Sequence, residues 1–224
     1  MPAILLDIEG TTTDISFVHQ TLFPYSRDGM DRFIRTNYQQ PIMQEYLRQI
    51  AEDIHLQSFS HHQLDLIISQ LIQWIDNDVK NSSLKGIQGL QWEQGYSEGT
   101  YQSHIYEDVL PALKKWKEEN YSIGIFSSGS IKAQKLLFRY SKYGDLRMFF
   151  NHFFDTKTGP KKEPDSYLTI AKAMGYPPNQ IHFFSDVTEE LDAAKKTGYQ
   201  TTQMVRDGTV AGTAHPTVGT FLTT

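Results

Sequence analysis

From Tyr106 onward the chain alternates short apolar runs with amphipathic stretches, and this alternation constrains the fold more than any other feature. A predicted helix with Leu113 and Trp116 leads into the apolar run 122–127. A second helix, with Leu136, Leu137 and Phe138, precedes the run 152–155. A helix over 166–174 stops at Gly175. The run 181–185 precedes a helix ending at Gly198, and 201–205 closes the series. Strands alternating with helices predict an α/β fold with a doubly wound parallel sheet. In such sheets ligands bind beyond the carboxyl ends of the strands.

One further strand lies at the start, Ala3–Leu6, and a long segment separates it from the rest. Residues 14–104 read as helical. Ile42, Tyr46, Leu47 and Ile50 form one stripe, and Leu64, Ile67, Ile68, Leu71, Ile72 and Ile75 a longer one, at spacings of three and four. Pro41 stands near the start of the first stripe, where a missing N–H costs little. The stretch 77–99 is polar and rich in glycine, with Trp92 and Tyr96, and predicts a loop-rich closing segment. The expected organisation is an α/β core from residues 1–13 and 105–224 and a helical cap insertion over 14–104. The Thr- and Gly-rich tail, 208–224, receives no element.

The 224 residues are 39% hydrophobic, enough to bury a core and carry a large insertion. A formal charge of −5 offers no basic field to nucleic acid or an anionic membrane. With no cysteine, disulfides, thiolate metal sites and cysteine nucleophiles are excluded, in keeping with a reducing compartment. The first residues lack the basic lead and long apolar core of a signal peptide. No apolar run approaches the roughly 20 residues needed to span a bilayer. The expectation is a cytoplasmic monomer with a small-molecule partner and neither nucleic-acid nor membrane partners.

Chemistry gathers at the predicted strand ends. The first gives Asp7-Ile8-Glu9-Gly10-Thr11-Thr12, two carboxylates two residues apart and so on one side of an extended chain. Such a pair suits an aspartyl nucleophile beside a general acid/base, with a divalent cation easing their repulsion. It equally suits a turn whose acids cap free amides. The second gives Ser127-Ser128-Gly129-Ser130 before a helix, a phosphate cradle or an ordinary N-cap at Ser130. After the third come Lys157, Lys161 and Lys162; a lysine there can neutralise a phosphoryl group and an aspartate together. The fourth ends in Asp186, a good Mg2+ ligand, followed by Thr188, Glu189 and Glu190, which also favour a helix N-terminus.

The order acid pair, Ser-Ser-Gly, lysine, acid resembles the haloacid dehalogenase-like hydrolases. The resemblance narrows to the bifunctional enolase-phosphatases of methionine salvage. It is carried by Asp7–Thr13 with Glu9 in place of the usual second Asp, by the strings 84–89 and 92–96, by Ser127–Phe138 and by His152–Lys157. Position by position it implies Asp7, Glu9 and Asp186 as Mg2+ residues, and Ser127 and Ser128 as phosphate-binding residues. It implies Lys161 as the phosphate-side lysine, where spacing alone leaves Lys162 as a rival. Glu190 occupies the place of a second acid that is often Asp.

The resemblance further implies the substrate 2,3-diketo-5-methylthiopentyl 1-phosphate, enolised and then dephosphorylated to the acireductone. In that reading Asp7 attacks phosphorus, Glu9 is the acid/base, and Lys161 stabilises charge. The enolisation base is Glu9 or a cap residue such as Glu93 or Lys85. Phe17, Phe23, Trp92 and Tyr96 line the methylthio pocket or belong to the insertion's core. The competing readings are a phosphatase for another small phosphoester and a non-catalytic binding module on the same fold.

Overall fold

The computed structural model describes residues 2–56 and 60–223. The chain divides into two compact units, residues 1–17 with 102–224, and residues 18–101.

In the first unit the strands are β1 (Ala3–Leu6), β2 (Ser122–Phe126), β3 (His152–Phe154), β4 (Ile181–Ser185), β5 (Gln200–Met204) and β6 (Thr217–Val218). They form one sheet in the order β3-β2-β1-β4-β5-β6, and every pair is parallel. Parallel strands covered on both faces are apolar throughout rather than alternating, and all four residues of β1 are buried. Pleating sends Ile4 and Leu6 to one face, where they join Trp116, Phe138 and Phe184. Ala3 and Leu5 go to the other, with Tyr167, Ile170, Phe183 and Leu191. The helices Val109–Glu118 and Ile131–Arg139 therefore cover one face, and Pro164–Met174 and Thr188–Lys196 the other. Gly175 ends its helix in the left-handed conformation, φ 80°.

The strand order reverses at β1, which pairs Leu6 with Ile125 of β2 and with Phe184 of β4. That reversal opens a crevice at the carboxyl edge. At that edge stand Asp7 and Ser127, just past β1 and β2, and Ser185, the last residue of β4.

The tail, left without an element by its sequence, contributes β6 and the buried Phe221. Phe221 packs edge-on against Trp116 and Phe184. A two-residue strand is too short to show periodicity, so only the structure reveals it.

The second unit is helical: Phe23–Asn37, Pro41–Asp53, Leu64–Asp76 and Ser82–Ser97. Its core includes Met30, Ile34, Leu47, Ile50, Leu64, Ile67, Leu71 and Ile87. Two sequence expectations fail here. Ile42 is exposed, and Met43 takes its place in the core. The stretch 77–99 is no loop, because Ser82–Ser97 is a sixteen-residue helix, capped where the Asn81 side chain accepts from the amides of Ser83 and Leu84. Two of its glycines, Gly86 and Gly95, serve packing rather than turning. A Cβ on Gly95 would lie 2.8 Å from both Tyr25 Cζ and the Tyr101 hydroxyl, and one on Gly86 would meet the Tyr46 ring.

Candidate active site

Asp7 directly follows β1, and its amide donates to Phe184 O (3.0 Å), prolonging the ladder by one residue. The chain then folds back sharply. Ile8 O accepts from the amides of Thr11, Thr12 and Thr13, and Gly10 N donates to Thr13 O. Gly10 has φ +69°, and a Cβ there would stand 2.4 Å from Asp186 Oδ2. Only glycine allows the turn to press against that carboxylate.

Asp7 and Lys161 meet in the interior. Lys161 Nζ donates to Asp7 Oδ1 at 2.6 Å and also lies 2.7 Å from Glu190 Oε2. Ser185 Oγ bridges the same two acids, 3.2 Å from Asp7 Oδ2 and 3.1 Å from Glu190 Oε2. Burial pulls the ammonium pKa down, but Asp7 and Glu190 together outweigh it and hold Lys161 above the ordinary lysine range. The lysine loop is pinned from below, where the Tyr167 hydroxyl donates to Lys161 O (2.7 Å) and Ser166 Oγ to Pro160 O (2.7 Å). Lys162 points outward, exposed, to Glu189. Geometry thus separates the two lysines that spacing left as rivals.

Glu9 faces a different partner. Ser127 Oγ donates to Glu9 Oε2 (3.0 Å) and accepts from Gly129 N (3.1 Å). Burial first, then the charge of Asp7, raises the Glu9 carboxyl above its usual range, with Lys161 and Ser127 opposing. Ser128 is exposed at the start of the cradle. Ser130 caps the helix Ile131–Arg139 through Ala133 N, as its N-cap reading predicts. The cradle is braced by the buried Gln134, which donates to both Gly129 O and Phe154 O at 2.8 Å.

Asp186 lies on the other side of Gly10, beside an open cavity of about 380 Å³ lined also by Asp14, Tyr106, Gln203 and Asp207. Burial, then Asp7, pushes Asp186 up to about 6, and the same two causes push Glu190 up to about 7. Four crowded carboxylates therefore share one lysine, an excess of negative charge that fits a divalent cation. Among the described residues no three acids or histidines close into a finished metal cage.

The sequence-level candidates Asp7, Glu9, Ser127, Ser128, Lys161 and Asp186 all stand along one edge of one sheet. Neither Ser185 nor a role for Glu190 is legible in the sequence alone. The signal for Glu190 was its position one turn beyond Asp186 on a helix; Ser185 carried none beyond lying at a strand end.

A family profile for haloacid dehalogenase-like hydrolases matches residues 1–198. The chain is similar to the enolase-phosphatase E1 of Picosynechococcus sp., 46% identical over 97% of this chain and 95% of that protein. It is also similar to that of Persephonella marina, 46% identical over 91% and 88%. The crystal structure of the UTR4 protein of Saccharomyces cerevisiae matches with a TM-score of 0.83 at 31% identity, covering 100% of this chain and 99% of that one. A haloacid dehalogenase-like phosphatase of Thermococcus onnurineus, 20% identical, shares the fold, with a TM-score of 0.62 over 99% and 95%.

Proposed function

Because the chain belongs to the enolase-phosphatase E1 family of haloacid dehalogenase-like hydrolases, we propose that it turns 2,3-diketo-5-methylthiopentyl 1-phosphate into the acireductone of methionine salvage. It enolises the substrate first and then removes its phosphate. The single observation that carries the chemistry is the division of partners between the two acids. Asp7 is ion-paired with Lys161, whereas Glu9 is held by Ser127 and biased toward its protonated form.

In this reading Asp7 attacks phosphorus in line and forms an aspartyl-phosphate. Glu9 donates its proton to the leaving oxygen, then takes one from the water that clears the intermediate. Lys161 stabilises charge on the phosphoryl oxygens, and Glu190 and Ser185 keep it and Asp7 in place. Ser127, Ser128 and the N-terminal end of the helix Ile131–Arg139 receive the phosphate. Asp7, Glu9 and Asp186 are the residues that would hold Mg2+, which when bound supplies charge neutralisation for the phosphate and polarisation of the dicarbonyl. The insertion, expected over 14–104, is proposed as the cap that selects the methylthio tail.

Among the described residues no helix is long and apolar enough to cross a membrane. The cytoplasm is proposed as the compartment, in keeping with a chain that carries no cysteine, and a monomer as the working form.

The test incubates the diketo phosphate with protein and Mg2+, following enol absorbance and phosphate release separately. Both signals should appear, and a chelator should abolish both. Phosphate release from simple phosphoesters with no enol signal would favour the general phosphatase instead.

A further inference from the structure

Arg206 stands two residues beyond β5, outside the set of acids and lysine described above, yet its side chain is only 8% exposed. Its Nε and Nη2 donate to Thr11 O at 3.3 and 3.1 Å. Nη2 also donates to Asp108 Oδ2 (2.9 Å), and Nη1 to Gly219 O (2.9 Å). The guanidinium lies over the Tyr106 ring (4.3 Å to the centroid) and the Phe221 ring (5.3 Å). Asp108 Oδ2 completes the knot by accepting from Thr220 Oγ1 (3.1 Å) and Phe221 N (2.7 Å).

Thr11 belongs to the turn that carries Asp7 and Glu9. The amides of Thr11, Thr12 and Thr13 all go to Ile8 O, so the turn is closed on itself. Its outward ties include Tyr106 N to Thr12 O and the Arg206 fork on Thr11 O. The Thr11 hydroxyl adds nothing, being buried without a hydrogen-bond partner among the described residues. A planar fork can grip one carbonyl, one carboxylate and a second carbonyl at once, which an ammonium cannot.

We infer that Arg206 is a positioning residue: it fixes the Gly10–Thr13 turn, and through it the aim of Asp7 and Glu9, with Asp108 as its anchor. The inference rests on those two carboxylates being the reacting groups.

The test compares Arg206→Lys with Thr220→Val, which loosens the tail while leaving the Arg206 fork intact. For Arg206→Lys, kcat for phosphate release should fall about 10–100-fold, the scale of a small misplacement of reacting groups. KM should stay within about threefold, because the phosphate cradle is untouched. Amide hydrogen exchange in a peptide spanning residues 8–13 should quicken, and this readout does not depend on turnover. Thr220→Val should keep native kcat and native exchange there. If Arg206→Lys does not fold, Asp108→Asn, which slackens the same guanidinium, must quicken exchange over 8–13. Native kcat in Arg206→Lys, or an equal loss in Thr220→Val, would overturn the inference. Faster exchange over 8–13 with no turnover in the wild type would leave Arg206 in its role and count against the proposed reaction.

Discussion

Lys161 and Glu190 form a buried ion pair, Nζ to Oε2 2.7 Å, and the same ammonium reaches Asp7 at 2.6 Å. One cation thus compensates two buried acids. Lys161→Met should cost about 3–5 kcal/mol, the scale for breaking a buried pair and stranding its partner. Urea unfolding measures it, and a change below 1 kcal/mol would show that Asp7 and Glu190 do not depend on the lysine.

The contact between Ser127 and Glu9 sets up the second prediction. Glu9→Gln keeps the shape and the bond to Ser127 but cannot transfer protons, so phosphate release should drop about 10²–10⁴-fold. If Glu9 is also the enolisation base, enol absorbance vanishes with it. If Glu93 or Lys85 is the base, the enol phosphate accumulates. Wild-type rates of both steps would mean that the acid pair is structural.

Much of this was legible in the sequence because it rests on strong local signals. The apolar runs at Ala3–Leu6 and Ile181–Ser185 are strands that could hardly be anything else once helices alternate with them. The parallel fold then sends their carboxyl ends to one edge, which is why Asp7, Ser127 and Asp186 could be named together. What escaped depends on contacts between distant residues. The glycines of Ser82–Ser97 read as breakers until Tyr25, Tyr46 and Tyr101 are seen against them. Nothing local in Asp108 announces that its carboxylate accepts from both Arg206 and Thr220. Choosing Lys161 over Lys162 likewise needed the loop's conformation or a family pattern, since adjacent lysines carry the same chemistry.

Gly95 supplies a prediction that runs against helix propensity. Gly→Ala within a helix ordinarily stabilises by about 1 kcal/mol. Here the new methyl would collide with two rings, Tyr25 and Tyr101, which pack edge-on at 5.1 Å, while Tyr96 confines Tyr101 from another side. Gly95→Ala should therefore destabilise the helical unit by about 1–3 kcal/mol, the usual cost of overpacking. Urea unfolding of the full chain is the measurement. A stabilised variant would show that the rings yield freely.

His182 sets the last prediction, the response of the fold to acid. It lies on β4, with Nε2 2.8 Å from Thr202 Oγ1 and its ring stacked 4.2 Å from that of Phe184. Burial lowers its pKa from the ordinary 6.5 to about 4. Between those two values the unfolded chain binds a proton that the folded chain refuses. Stability due to this group is therefore complete above about pH 6.5, falls as the pH drops through the window, and levels off below about 4. The full drop is about 3 kcal/mol. His182→Gln has no proton to gain, so the variant's unfolding free energy should fall less steeply than the wild type's from pH 7 to 4.5. Carboxylates titrate in both proteins, so the difference between the two curves isolates the histidine. Parallel curves would mean that His182 is solvated well enough to accept its proton in the folded state.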